Sequence, residues 1–82
     1  MGKFSYVYRL RSVARPEEVY TGLTDDLESR LRKHNLGGVS HTAKFRPWEL
    51  DLAIAFSSRK KASAFETYLK TGSGREFARR HF

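Results

Sequence analysis

The stretch from Tyr20 to Asn35 contains three side chains whose types and spacing could do chemistry together. Tyr20 lies in a run of β-branched and aromatic residues, which predicts a strand that ends at Gly22, where the backbone must turn or approach another group closely. Arg30 and His34 are four residues apart on the helix predicted to follow, so they project from the same side of it. A strand-end tyrosine therefore faces two helical cations, and we interpret the stretch as half of an active site.

A carboxylate from the second half of the chain could complete such a site. Glu66 lies four residues after Ala62 and three before Leu69, so it shares their apolar stripe on a predicted helix and is directed toward the sheet. An unpaired charge in that position would be costly. Two explanations fit the spacing equally well: a salt bridge between Glu66 and Arg30, or a metal ion anchored by Glu66.

A second tyrosine, Tyr8, belongs to the first predicted strand, Phe4–Arg11, in which alternate residues form one strongly apolar face. A short polar connection follows, and the β-rich run Glu18–Leu23 is predicted to be the hairpin partner, which brings Tyr8 close to Tyr20. On this pattern alone, packing of two tyrosines within a sheet is favoured over a catalytic role.

The remaining elements must hold these side chains in place. A third strand is predicted at Pro47–Phe56, with its five large apolar residues on one face. Three helices are predicted: one capped by Thr24 or Asp25, one at Arg59–Lys70 capped by Ser57 or Ser58 and stopped by Gly72, and one at Gly74–Arg80 with Ser73 and Glu76 as a capping box. The order β-β-α-β-α-α predicts a single α+β domain over residues 1–82, a small three-stranded antiparallel sheet flanked by helices.

A polar loop, Leu36–Arg46, is long enough to have a function of its own. Together with the basic last helix it supplies our candidates for contacts with nucleic-acid phosphates, which are His41, Thr42, Lys44 and Arg75.

The charge balance favours a polyanionic partner. Lys and Arg number 16 against 9 acidic residues, a net charge of +7, and nucleic acid is the commonest partner of such a chain. The alternative is that the excess positive charge is simply solvated at the surface and binds no partner. The absence of cysteine excludes disulfides and thiolate metal sites, and we find neither a signal peptide nor an apolar run long enough for a membrane helix. We therefore expect a cytoplasmic protein that does not act at a membrane.

Four stretches together resemble a small stand-alone GIY-YIG nuclease domain: SYVYRL, VYTGLTDDLESRLRKHN, HTAKFRPWELDLAIAF and AFETYLKTGSGREFARRHF. They cover essentially the whole chain. The motifs identify Tyr8 and Tyr20 with the two tyrosines of the family, Arg30 and His34 with its helix-borne arginine and histidine, and Glu66 with its metal-ligand glutamate.

The resemblance implies the β-β-α-β-α-α fold, a divalent metal ion (Mg²⁺ or Mn²⁺) and hydrolysis of phosphodiester bonds in DNA. The chain departs from the family at two positions. Tyr6 replaces the glycine of the first motif, and Leu23 stands where the related incision subunits of excision repair have a lysine, so any help from that lysine to a catalytic tyrosine is absent. Homing and restriction members have extra DNA-recognition domains, and without one we expect weak target selection.

The chemistry assigns a role to each candidate. The planar guanidinium group of Arg30 has hydrogen-bond donors whose geometry matches a phosphate. A metal ion bound by Glu66 would protect the leaving alkoxide. A tyrosine must deprotonate the attacking water, although a phenol has a pKa near 10, so Arg30, His34 or the metal would have to lower that pKa. We predict Tyr20 as this base and Tyr8 as the group that orients the water or the phosphate.

We therefore predict a metal-dependent DNA endonuclease of low sequence specificity that acts in DNA repair. A non-catalytic nucleic-acid-binding module of the same fold is the alternative, and a small protein-binding adaptor is a third reading.

Overall fold

The computed structural model describes residues 3–82, which form a three-stranded antiparallel sheet and four helices. The strands, in the spatial order β2-β1-β3, are β1 (Ser5–Ser12), β2 (Val19–Thr24) and β3 (Trp48–Phe56). The helices are α1 (Leu27–Asn35), α2 (Ser40–Ala43), α3 (Arg59–Leu69) and α4 (Gly72–His81). The predicted α+β class is confirmed, and the order differs from the predicted one by the short helix α2, which lies inside the polar loop.

The central strand β1 is covered on both faces, so the predicted single apolar face is wrong. Val7 and Tyr8 are adjacent in sequence, and each is only 1% exposed. Since neighbouring side chains of a strand point to opposite faces, each residue belongs to its own core. The valine core contains Val7, Ala62 and Leu69, and the tyrosine core contains Tyr8, Leu10 and Trp48.

Each core is closed by different helices. In the tyrosine core, Leu27 and Leu31 of α1 pack against the buried residues, as predicted from their spacing. In the valine core, α3 contributes Phe65 and α4 contributes Phe77. The sheet therefore lies between α1 on one side and the α3–α4 pair on the other.

One extra residue in β3 interrupts its pairing with β1. Arg9 pairs with Leu52, whereas Leu10 pairs with Leu50, so Asp51 is the extra residue of a β-bulge. Its carboxylate lies 3.3 Å from Nε of Arg9. The bulge shifts the alternation of side chains along β3 by one position.

This shift divides the apolar residues of β3 between the two cores. Trp48 is part of the tyrosine core, whereas Phe56 packs against the valine core. The prediction that one face carries all the large apolar residues of β3 is therefore wrong. The residues of that prediction are Trp48, Leu50, Leu52, Ile54 and Phe56.

Helix α1 begins later than either predicted cap allows, by one residue for Asp25 and by two for Thr24. Asp26 is the N-cap, and its carboxylate accepts a hydrogen bond of 3.1 Å from the backbone N–H of Ser29. Neither Thr24 nor Asp25 caps the helix. Asp25 instead accepts a hydrogen bond of 2.8 Å from Arg59, which ties the start of α1 to the start of α3.

Helices α3 and α4 meet at a tighter junction than predicted. Ser58 caps α3, because its hydroxyl accepts a hydrogen bond from the backbone N–H of Lys61. Ser58 is one of the two caps that the sequence predicted. Gly72 does not stop α3, because that helix has already ended and Gly72 opens α4. The cap of α4 is Thr71 rather than Ser73. Across residues 3–82, no helix has the length and apolar character needed to span a membrane.

Candidate active site

The hydroxyl of Tyr8 is held in a narrow space between β2 and α1. It lies 3.0 Å from Nε2 of His34, and both residues are 1% exposed. Gly22 pairs with Tyr8 across the two strands, and a Cβ atom at that glycine would lie 2.4 Å from the tyrosine oxygen. The predicted close approach at Gly22 is therefore confirmed, but the predicted strand end is wrong, because β2 continues to Thr24.

Replacement of Gly22 by alanine is expected to break this arrangement. The new methyl group overlaps the Tyr8 hydroxyl, so the tyrosine must move away from His34, and we expect a loss of about 1–3 kcal/mol in the free energy of unfolding. Urea unfolding measures it. The control is Gly72→Ala, since a Cβ at Gly72 meets no atom of the described part of the chain within 4 Å, and the stability of this variant should equal or slightly exceed that of the wild type. Equal stabilities for the two variants would contradict the close approach.

His34 is a buried, neutral imidazole rather than the exposed cation that its spacing predicts. Its Nδ1 lies 2.7 Å from Oγ1 of Thr42, on the side of the ring away from Tyr8. Burial is the main cause that lowers the pKa of His34. The positive charges of Arg30 and Lys33 lower it further. At neutral pH the ring is therefore uncharged, and it cannot lower the pKa of a neighbouring tyrosine by its charge.

The burial of His34 depends on α2, which is fixed by a short network. The side-chain amide of Asn35 donates a hydrogen bond of 3.0 Å to the backbone carbonyl of Trp48. It also accepts a hydrogen bond of 2.6 Å from the backbone N–H of Trp48. The indole N–H of Trp48 donates to the carbonyl of Thr42 at 2.9 Å. Thr42 itself is only 1% exposed, so the prediction that it contacts a nucleic-acid phosphate is wrong.

Tyr8 is poorly suited to ionise. Burial raises the pKa of Tyr8 to about 12, and the neighbouring phenol of Tyr20 acts in the same direction. Arg30 lowers the pKa, but not enough to offset these effects, and the negative charge of Glu66 raises it slightly. The two charges reach Tyr8 from different helices, Arg30 from α1 and Glu66 from α3.

Tyr20 lies close to Tyr8, as predicted from the hairpin. The two ring centroids are 6.3 Å apart, and the Tyr20 ring is 4.9 Å from that of His34. On its other side, the ring centroid of His41 is 6.3 Å away. The half-buried Tyr20 thus sits between the buried histidine and an exposed one.

Glu66 is half-buried on α3, and its ion-pair partner is not the one predicted. Nζ of Lys70 lies 3.0 Å from Oε2 of Glu66, so the alternative of a salt bridge with Arg30 is wrong. Among residues 3–82 no three His, Cys, Asp or Glu side chains gather as a metal-binding group. A single carboxylate is nevertheless a donor set that Mg²⁺ accepts, because the ion keeps most of its waters and takes further ligands from a phosphate.

A cleft of about 580 Å³ is bordered by Tyr8 and Tyr20 and by several cations, but Arg30, His34 and Glu66 do not line it. His41 and Arg75 border the cleft, whereas Lys44 is exposed beyond it, with Nζ 5.2 Å from the centre of the Phe45 ring. The basic residues along the cleft are Arg9, Lys70, Arg75 and Arg79.

Arg9 is a functional candidate that our reading of the sequence missed. Among residues 3–82 its Nε is buried without a hydrogen-bond partner, although Asp51 is close enough for an ion pair. The signal was available, because a charged residue in the middle of a central strand between Tyr8 and Leu10 needs an explanation.

A known catalytic domain matches most of the chain. The GIY-YIG catalytic domain matches residues 4–80 of the chain. The chain therefore belongs to the GIY-YIG family, and the predicted resemblance to a GIY-YIG domain is confirmed.

Relatives occur among both fungal and bacterial proteins. The structure-specific endonuclease subunit SLX1 of Debaryomyces hansenii is 43% identical over 82% of this chain, which corresponds to 21% of the fungal protein. A UPF0213 protein of Clostridium perfringens is 36% identical over 80% of this chain and 70% of its own length. The UPF0213 protein YazA of Bacillus subtilis is 42% identical over 62% of this chain and 52% of its own. The chain thus spans about a fifth of the fungal protein but most of the Clostridium protein.

Proposed function

We propose that this protein is a metal-dependent endonuclease that hydrolyses phosphodiester bonds in DNA with low intrinsic sequence specificity. The observation that carries the proposal is the buried Tyr8–His34 pair next to Tyr20, at the side of a cleft lined by cations. The name of the fungal relatives, structure-specific endonuclease subunit, supports an endonuclease activity.

Each residue has a role that its position supports. Tyr20 is proposed to act as the base that deprotonates the attacking water. Because the pKa of Tyr8 is raised, Tyr8 is proposed to orient the water rather than to ionise. Arg30 provides positive charge for the phosphate. Glu66 would hold Mg²⁺ or Mn²⁺, and the chemistry that the ion supplies when bound is stabilisation of the leaving alkoxide.

The cleft supplies the proposed path for the DNA backbone. Its arginine and lysine side chains can neutralise successive phosphates without reading bases, which agrees with low sequence specificity. Contacts of this kind also bring the chain to DNA quickly, since its net charge is +7.

The binding of DNA is expected to weaken steeply as salt is added. A plot of log affinity against log salt should fall by about 0.9 for each phosphate neutralised, because counterions are released. Fluorescence anisotropy with a labelled duplex measures the slope. Arg75→Ala, in the cleft, should make the slope shallower by about 0.9. Lys44→Ala, outside the cleft, should change it less. A flat salt dependence in the wild type would support the protein-binding adaptor instead.

The direct test is incubation with plasmid, linear, flapped, branched and single-stranded DNA in Mg²⁺ or Mn²⁺, with EDTA as the control. Cleavage that EDTA abolishes supports the proposal. Salt-dependent binding without cleavage of any substrate would support the non-catalytic binding module.

We also propose a role in DNA repair and a cytoplasmic location. The first is supported by the resemblance to the nuclease domain of excision-repair incision subunits, and the second is an expectation from the sequence. Sensitivity of a deletion strain to DNA damage tests the role, and cell fractionation tests the location.

A further inference from the structure

Thr42 is a buried hydroxyl that has no part in the functions described above. Its Oγ1 lies 2.7 Å from Nδ1 of His34 and 3.3 Å from the backbone carbonyl oxygen of Val39. Thr42 does not line the cleft. Anything it contributes to the site must therefore pass through His34.

The hydrogen bonds around His34 can be satisfied completely in only one arrangement of protons. If Nδ1 carries the proton, it donates to Thr42, the threonine hydroxyl donates to Val39, and Tyr8 donates to the free Nε2. If Nε2 carries the proton, it donates to Tyr8, and the Tyr8 hydroxyl proton then has no acceptor within residues 3–82. A buried donor without a partner costs about 1–3 kcal/mol. The first arrangement is therefore favoured.

The choice of tautomer decides which way the Tyr8 hydroxyl points. When Tyr8 donates its proton to His34, only the lone pairs of its oxygen are left to interact with another group. An oxygen in this state accepts a hydrogen bond from a water molecule, and it does not donate to a phosphate. In the opposite tautomer, His34 would no longer accept the Tyr8 hydroxyl proton, and the orientation of that hydroxyl would not be fixed.

We propose that Thr42 is a positioning residue that keeps His34 in the Nδ1–H tautomer, so that the Tyr8 oxygen accepts a hydrogen bond from the attacking water and aligns it. This inference rests on the proposed nuclease function for the identity of the water. The path runs from Thr42 to His34 to Tyr8, and Thr42 itself touches no substrate.

The other polar groups near the histidine come from all the neighbouring elements. Tyr20 faces it from β2, and Arg30 and Lys33 lie near it on α1. From α2, His41 approaches the far side of Tyr20. None of these groups bonds to Nδ1, so Thr42 is the hydrogen-bond partner of that nitrogen among the described residues.

The tautomer can be read without any cleavage assay. Two-dimensional ¹⁵N–¹H NMR of the wild-type protein reports which ring nitrogen of His34 carries the proton. We expect protonated Nδ1 and free Nε2 in the wild type and in Thr42→Ser, which keeps the hydroxyl. In Thr42→Val, which keeps the shape but lacks the acceptor, we expect a shift toward protonated Nε2. Protonated Nε2 in the wild type would overturn the proposal whatever the variants do.

Single-turnover cleavage of duplex DNA then tests the consequence. Thr42→Val is expected to lose about tenfold or more in rate while DNA affinity stays within about twofold, since the change is confined to the transition state. Thr42→Ser should restore most of the rate. Equal losses in the two variants, or a loss of affinity that parallels the rate, would show a purely structural role and overturn the proposal. If the wild type cleaves no DNA and His34 still has the expected tautomer, the proposed function fails while the tautomer assignment stands.

Discussion

The Glu66→Gln variant is expected to bind DNA at least as tightly as the wild type and to lose about a thousandfold or more in cleavage rate. Glutamine fills the same half-buried space on α3 but is a much weaker metal ligand than a carboxylate, and it removes one negative charge near the phosphate. Single-turnover cleavage in Mg²⁺ measures the rate, and anisotropy measures the affinity.

A matched control exists on α1. Glu28 forms an ion pair with Arg32 one helical turn away, as Glu66 does with Lys70, but it is exposed. Glu28→Gln should therefore cleave at the wild-type rate. If Glu66→Gln behaved in the same way, Glu66 would be no more than the partner of Lys70, and the proposed metal site would be wrong.

Removal of the two tyrosine hydroxyls is expected to separate the base from the group that orients the water. Tyr20→Phe keeps the ring and its packing against His34 but should lose about 100-fold or more in rate, the usual contribution of a general base. Tyr8→Phe should reduce the rate by a smaller factor.

The pH profile distinguishes the two roles. A base works only when deprotonated, so the wild-type rate should rise with pH, and Tyr20→Phe should remove that rise. Tyr8 has a pKa of about 12, so its ionisation lies above the assay range and Tyr8→Phe should keep the rise at reduced height. Tyr68→Phe, an exposed tyrosine on α3, is the control. Full activity in both Tyr8→Phe and Tyr20→Phe would contradict the catalytic roles. The two tyrosines would then only pack against each other within the sheet.

The parts of the site that local patterns define could be predicted from the sequence. Alternation in β1 and the hairpin placed Tyr8 beside Tyr20, and helical spacing placed Arg30 and Glu66 on faces from which both charges reach Tyr8. Each of these inferences needs only the geometry of one element or of two neighbours.

The state of His34 could not be predicted in the same way. Its spacing indicates an exposed edge position, but α2, held by Trp48 and Asn35, closes over it. The burial of a side chain thus depends on contacts between residues far apart in the chain, and no local period reports them. For the same reason Thr42, in a polar loop, looked like a phosphate contact and is instead a buried acceptor.

The errors at helix ends have a more local cause. Thr24, Asp25 and Asp26 are three consecutive residues that can all act as caps, and the choice among them depends on what else each can bond. Arg59 engages Asp25, which leaves Asp26 to accept from the first turn of α1.

The extra residue in β3 also affects how the molecule meets other molecules. Within residues 3–82, β3 pairs only with β1, so one side of this long apolar strand presents free backbone groups that could template another strand. A bulge twists such an edge, and Asp51 places a charge in the middle of it. One inserted residue thereby both distributes the apolar side chains and guards the edge against aggregation.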